Sequence, residues 1–238
     1  MSRRPGTLVA DRVRLLVLAA RLLVGRRIWI APLLPLLWIA FQIFRLLVEW
    51  RLEAYGPADA QTVLIGTPLA VLATGLGVRI IAGEIDQRTL EIAYTVPGGS
   101  HRVWLAKLSA ALILLVVAEA LLAVATFFFC TGYPPGALYG ALQSAVFYMV
   151  LAMGMAALFK SEATGALVTV AIAFVNSLLQ GANPRISPFF NPALLEDFDP
   201  ADVAAWTVQN RIGFLLVIAA AALLTFGRAE RREKLLGG

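Results

Sequence analysis

Cysteine and histidine are almost missing from this sequence: Cys130 and His101 each stand alone. One cysteine rules out an internal disulfide and any site built from several thiolates. One histidine argues against a histidine-based metal centre. Charge is scarce as well, with 15% of residues charged against about a quarter in an ordinary soluble domain. Short alternating segments of about ten residues, the mark of a membrane β-barrel, are missing. So is any G-x-x-x-x-G-K-[ST] phosphate loop; Gly75 and Gly77 lie in an apolar run that holds no lysine. ATP hydrolysis by this chain is therefore not expected.

What is present is apolar sequence in long blocks, 60% of the chain. That pattern predicts an all-α integral membrane protein with a single membrane domain over residues 1–238. A crossing needs about 20 mainly apolar residues. Six transmembrane helices are expected near 28–48, 62–82, 103–129, 136–159, 163–180 and 212–227. Pro32 and Pro35 should kink the first near its start, and Gln42 and Arg45 make its far end more polar. The fifth depends on reading Lys160-Ser161-Glu162 as a tight turn; one long bent helix is the competing reading.

An even number of crossings puts both termini on one side. The segments on that side hold Arg3, Arg4, Arg12, Arg14, Arg21, Arg26, Arg27, Arg79, Arg88, Arg102, Lys107, Lys160, Arg228, Arg231, Arg232 and Lys234. Only Arg45, Arg51, Arg185 and Arg211 fall on the other. The positive-inside rule makes the first side cytoplasmic, and Gly83–Arg102 with it. The net charge of +5 then needs no nucleic acid as a partner. A cleavable signal peptide is not expected, because Arg21, Arg26 and Arg27 interrupt the first apolar run. Residues 11–27 read instead as an amphipathic interfacial helix, with Asp11, Arg14 and Arg21 on one face; the alternative is a cytoplasmic extension of the first span. The outer loop 181–210 carries Phe189, Phe190 and Trp206, expected at headgroup level. Its acids, Glu196, Asp197, Asp199 and Asp202, suit an exposed acidic loop better than a calcium site. Pro200 fits the first turn of a short helix.

The polar stretch GEIDQRTLEIAYTVPGGSHR, residues 83–102, interrupts this pattern. Asp86 is placed to N-cap a short helix through Arg88, Thr89, Leu90 and Glu91. Pro97-Gly98-Gly99 ends it, and Ser100 is placed to cap the third span. A short amphipathic element joined to two spans is a lever that a soluble partner could push. Glu84, Thr89-Leu90-Glu91, Pro97 and Lys107, set in this topology, resemble the signature of ABC transporter permeases of the type-2 membrane family. Arg88 departs from that pattern, where glycine is usual.

The resemblance implies a coupling helix at 84–99, with Glu84, Asp86, Arg88, Thr89, Leu90, Glu91 and Pro97 contacting or orienting a cytoplasmic ATPase. It implies two ATPase subunits that carry ATP and Mg, no cofactor on this chain, and a second permease copy or paralogue. It also implies a bacterial inner membrane and export of an amphipathic, drug-like or lipid-like compound. A haem-exporter-like permease and a non-transporting scaffold or sensor are the alternatives. An intramembrane enzyme would need clustered catalytic groups in the spans, and a secondary transporter broken, repeated helices; neither pattern is found.

Glu119 is the one acidic residue deep within a span. A carboxylate there is costly unless paired, wetted or protonated. It fits a substrate pathway, with Gln143, Asn176, Ser177 and Gln180 as weaker lining, or equally a structural bond to Gln143, Ser144 or Arg211. Arg79 and Lys107 sit where snorkelling would explain them. Gly136, Gly140 and Ser144, and Ala73 with Gly77, recur at the spacing that allows close helix contact.

Overall fold

Apolar runs without water must satisfy their own backbone, so helix is the form they take. A computed structural model describes residues 5–86, 99–182, 184–195 and 197–229, with 5–12 and 180–182 as backbone only. Among them every regular element is helical. Six helices are long and apolar enough to cross a membrane, and the chain is a multi-pass membrane protein.

Helix α1, Pro5–Val24, stops at Gly25, whose φ of 84° suits a left-handed cap and whose N–H donates to the Arg21 carbonyl at 2.8 Å. The first crossing is two pieces, α2 (Ile30–Leu33) and α3 (Leu36–Leu47). The break falls at Leu34-Pro35, since Pro35 has no N–H for the Ala31 carbonyl. The second crossing runs over Pro57–Asp86. It comprises α4 (Pro57–Asp59), a π-helical stretch at Ala60–Gly66 and α5 (Thr67–Asp86). The wide turns sit just ahead of Pro68, which cannot donate to the Leu64 carbonyl. Then come α6 (Ser100–Phe129), α7 (Pro135–Phe159), α8 (Glu162–Ala182) and α9 (Pro200–Ala229).

Several of these helices differ from expectation. The second begins five residues before 62 and continues past 82, so Glu84 and Asp86 belong to it. Ser100 does not cap α6: Gly99 holds the cap position at φ 86°, and Ser100 is the first helical residue. The sixth begins at Pro200 rather than 212, so the short helix expected in the 181–210 loop is the start of α9. Asp199 caps it, its Oδ1 accepting from the Ala201 N–H at 2.8 Å. The Lys160-Ser161-Glu162 turn is present. Lys160 takes a left-handed conformation (φ 56°, ψ 31°), and α8 starts afresh at Glu162. A single bent helix is thereby excluded.

Helices α5 and α7 form the centre, with 61% and 56% of their most apolar windows buried, against 11% and 6% for the windows of α8 and α9. The outer pair therefore presents Leu167, Phe174, Leu178, Leu216 and Leu223 outward, a surface that suits lipid. Small residues set the central contact. A Cβ on Gly77 would overlap the Met149 carbonyl oxygen and come within 3.0 Å of the Ala152 methyl. On α8, a Cβ at Gly165 would meet the backbone of Ala156 at 2.5 Å. Gly136, by contrast, faces open space.

Gly75, two residues from Gly77, also has nothing within 4 Å of an added Cβ. Thermal denaturation in detergent should separate the two glycines. Gly77→Val is expected to cost about 3 kcal/mol by overpacking and to lower the midpoint. Gly75→Ala should raise it, gaining about 0.5–1 kcal/mol from better helix propensity.

Candidate functional site

The polar residues gather at two ends of the bundle. At the basal end, α5 delivers Glu84 and α6 delivers Trp104 and Lys107, one turn apart on one face. Lys107 Nζ lies 2.9 Å from Glu84 Oε1, and the Trp104 indole N–H donates to Glu84 Oε2 at 3.0 Å. All three residues are buried, and Trp104 stacks nearly parallel to Phe226 of α9. Lys107 is therefore not snorkelling: the side chain is enclosed and its charge is met by a carboxylate, without which burial would be costly. Glu84 is likewise turned inward, where it joins two spans.

The residues that Asp86 is expected to cap lie outside the described residues, and among the described ones Asp86 bonds elsewhere. Its Oδ2 accepts from the backbone N–H of Glu162 at 3.0 Å, at the start of α8. Ser161 Oγ accepts from the Thr164 N–H of the same turn, so two side chains satisfy this helix start. Arg79, two turns back on α5, donates to the Leu23 carbonyl at 2.8 Å. That places a cation at the last turn of α1, where the helix dipole favours it. Its contact with Glu162, at 3.4 Å and half exposed, is the weaker of the two. The last two turns of α5 thus hold α1, α6 and α8 together. Arg88, Thr89, Leu90, Glu91 and Pro97 lie outside the described residues.

At the distal end, Arg211 of α9 enters the interior at 9% exposure. Its Nη1 donates to Gln143 Oε1 at 3.1 Å and its Nη2 to the Phe190 carbonyl at 3.3 Å. Gln143 Nε2 returns a bond to the Arg211 carbonyl at 2.7 Å, and Gln61 Nε2 donates to Phe190 O, also at 2.7 Å. The Tyr139 ring lies 5.5 Å from the guanidinium. Among the described residues no carboxylate pairs with Arg211; carbonyl, amide and aromatic groups receive its charge instead. Gly140 makes the room, since a Cβ there would meet Gln61 Cδ at 2.5 Å and Arg211 Nη2 at 2.6 Å. Gln61 was not among the expected site residues, although a glutamine opening an apolar run is a readable signal. Phe190 is fully buried within the protein, and its carbonyl anchors this network. Trp206 carries the Arg185 guanidinium stacked at 3.2 Å from its ring centre.

The expected pathway residues do not converge through hydrogen bonds. Glu119 is buried on α6, and its Oε1 has no hydrogen-bond partner among the described residues. Thr126 Oγ1, two turns along the same helix, also lacks one. The bond to Gln143, Ser144 or Arg211 is not made: Gln143 and Arg211 bind each other, and Ser144 Oγ donates to the Ala141 carbonyl. Asn176 Nδ2 donates to Ser187 Oγ at 3.2 Å, and Ser177 Oγ to its own helix at Phe174. The Gln180 side chain lies outside the described residues.

No protein-family model, curated protein or solved structure matches this chain.

The basal ion pair supports a stability test. Lys107→Met alone should strand a buried carboxylate and cost about 3–5 kcal/mol. Adding Glu84→Gln should restore most of that loss. Denaturant unfolding of the two single variants and the double variant, analysed as a cycle, measures the coupling.

Proposed function

We propose that this chain is the membrane permease subunit of an ATP-driven exporter, with its basal end cytoplasmic and residues 84–99 acting as the coupling element. Two copies, or this chain with a paralogue, form the pathway in a bacterial inner membrane. A separate ATPase subunit, itself in two copies, carries ATP and Mg. The cargo is an amphipathic, drug-like or lipid-like compound, the class the family signature implies.

One observation chiefly supports this reading: the helix end that leads into the segment is held by polar contacts, a buried one at Glu84 and an exposed one at Asp86. Glu84 fastens its leading end to Lys107 and Trp104 on α6, and Asp86 fastens it to the start of α8. A push on 87–98 therefore has rigid attachments on the second, third and fifth spans. A solvated loop on slack linkers would dissipate the same push. Arg88, Thr89, Leu90, Glu91 and Pro97 then supply the surface that meets the ATPase, while Glu84 and Asp86 anchor it. The basic bias toward this end agrees with a cytoplasmic position.

The test reconstitutes the chain with its co-purifying ATPase. Reversing charge at Arg88 and Glu91 together should reduce stimulated ATP turnover about tenfold, the loss of roughly 1.4 kcal/mol of coupling, with the permease still folded. Asp86→Ala should leave the ATPase bound but lower the transport achieved per ATP. Undiminished stimulation in the double reversal, or labelling of a Gly98→Cys variant from outside intact cells, would remove the reading.

A further inference from the structure

A cleft of about 790 Å³ opens on the flank of the bundle between the first crossing and α5, with the start of α8 at its mouth. Its polar and apolar parts are sharply divided. Arg27, Arg79 and Glu162 stand at the basal mouth, and the walls inward are aliphatic as far as Trp38 and Pro68. The deep end offers no free donor, because the Trp38 indole N–H is already given to the Val63 carbonyl at 2.7 Å. From Arg79 to Pro68 the α5 wall is about 16 Å long at 1.5 Å per residue. That is close to half of a hydrocarbon core of about 30 Å. The cleft is one leaflet deep.

Two further features identify its occupant. Gly75 lines the wall midway, in a helix interior where glycine is unfavourable, yet an added Cβ there meets nothing. No contact among the described residues requires that glycine, and its effect is to keep the wall open. At the mouth, two guanidinium groups face one carboxylate, leaving a net positive charge. Arg27 is exposed and bonds to no side chain among the described residues. Helix α1, which leads into the mouth, exposes Leu18 and Leu22 beside Arg21, the mixture that lies at a membrane surface.

We propose that this cleft binds one anionic phospholipid from the leaflet at the basal end. An acyl chain lies along Val71 and Gly75, and the phosphate is held at Arg27 and Arg79. Such a site is independent of coupling to an ATPase.

Purified full-length chain would be incubated with vesicles of phosphatidylglycerol or phosphatidylcholine of equal chain length, and retained lipid counted by native mass spectrometry. One phosphatidylglycerol per chain is expected, in preference to phosphatidylcholine. Arg27→Gln should weaken its retention about fivefold, the loss of one basic contact at a lipid surface. Gly75→Leu should abolish retention of both lipids without lowering the thermal midpoint. Equal retention of the two lipids by the parent, or parental retention in both variants, overturns the site. So does a Gly75→Leu variant that converts a dimer to monomer with lipid retention unchanged, since a second copy would then be the occupant.

Discussion

A carboxylate and an ammonium shut together between two apolar helices fix the basal architecture of this protein. Glu84 and Lys107 exclude each other from lipid by pairing at 2.9 Å, and the Trp104 indole closes the remaining oxygen. Neither charge is affordable there alone. The pair therefore joins the end of α5 that carries Glu84 to the start of α6 that carries Trp104 and Lys107. Asp86 and Arg79 follow from it: once the end of α5 is held, the two side chains reach the start of α8 and the end of α1. Four helices meet within the last two turns of α5.

The distal end solves the same problem without a counter-charge. Arg211 is enclosed by Gln143, the Phe190 carbonyl and the Tyr139 ring, which disperse its charge over dipoles. Gln61 and Gly140 complete that arrangement, one as a second donor to Phe190 and the other by taking up no space. This network ties the segment 184–195 to the second crossing and α9 through the Phe190 carbonyl. Glu119 differs from both ends. It is buried on α6 with an oxygen that no described group satisfies.

Much of the architecture was legible in the residues. Helix count, the break at Pro35 and the turn at Lys160-Ser161-Glu162 each rest on interactions within a few residues, so local sequence carries them. Helix ends were less legible. Residues 83–86 and 200–211 look too polar for membrane spans, yet they are helical because Glu84, Asp86 and Arg211 find partners that local sequence does not display. The site followed the same division. Glu84, Asp86 and Lys107 stood out as chemistry, but Lys107 was read as snorkelling, and the reach of Asp86 to Glu162 was not visible in its own neighbourhood.

By itself the sequence determined a six-helix membrane protein with its positive charge gathered toward one end, because hydrophobic length and charge placement are sums over contiguous residues. Tertiary structure alone decided which polar groups meet. Gln61 reaches Phe190 across 129 positions, and Asp86 reaches Glu162 across 76. Such pairings depend on how helices are rotated and staggered against one another. That is set by where small residues such as Gly77, Gly140 and Gly165 let backbones approach, and no local pattern contains it.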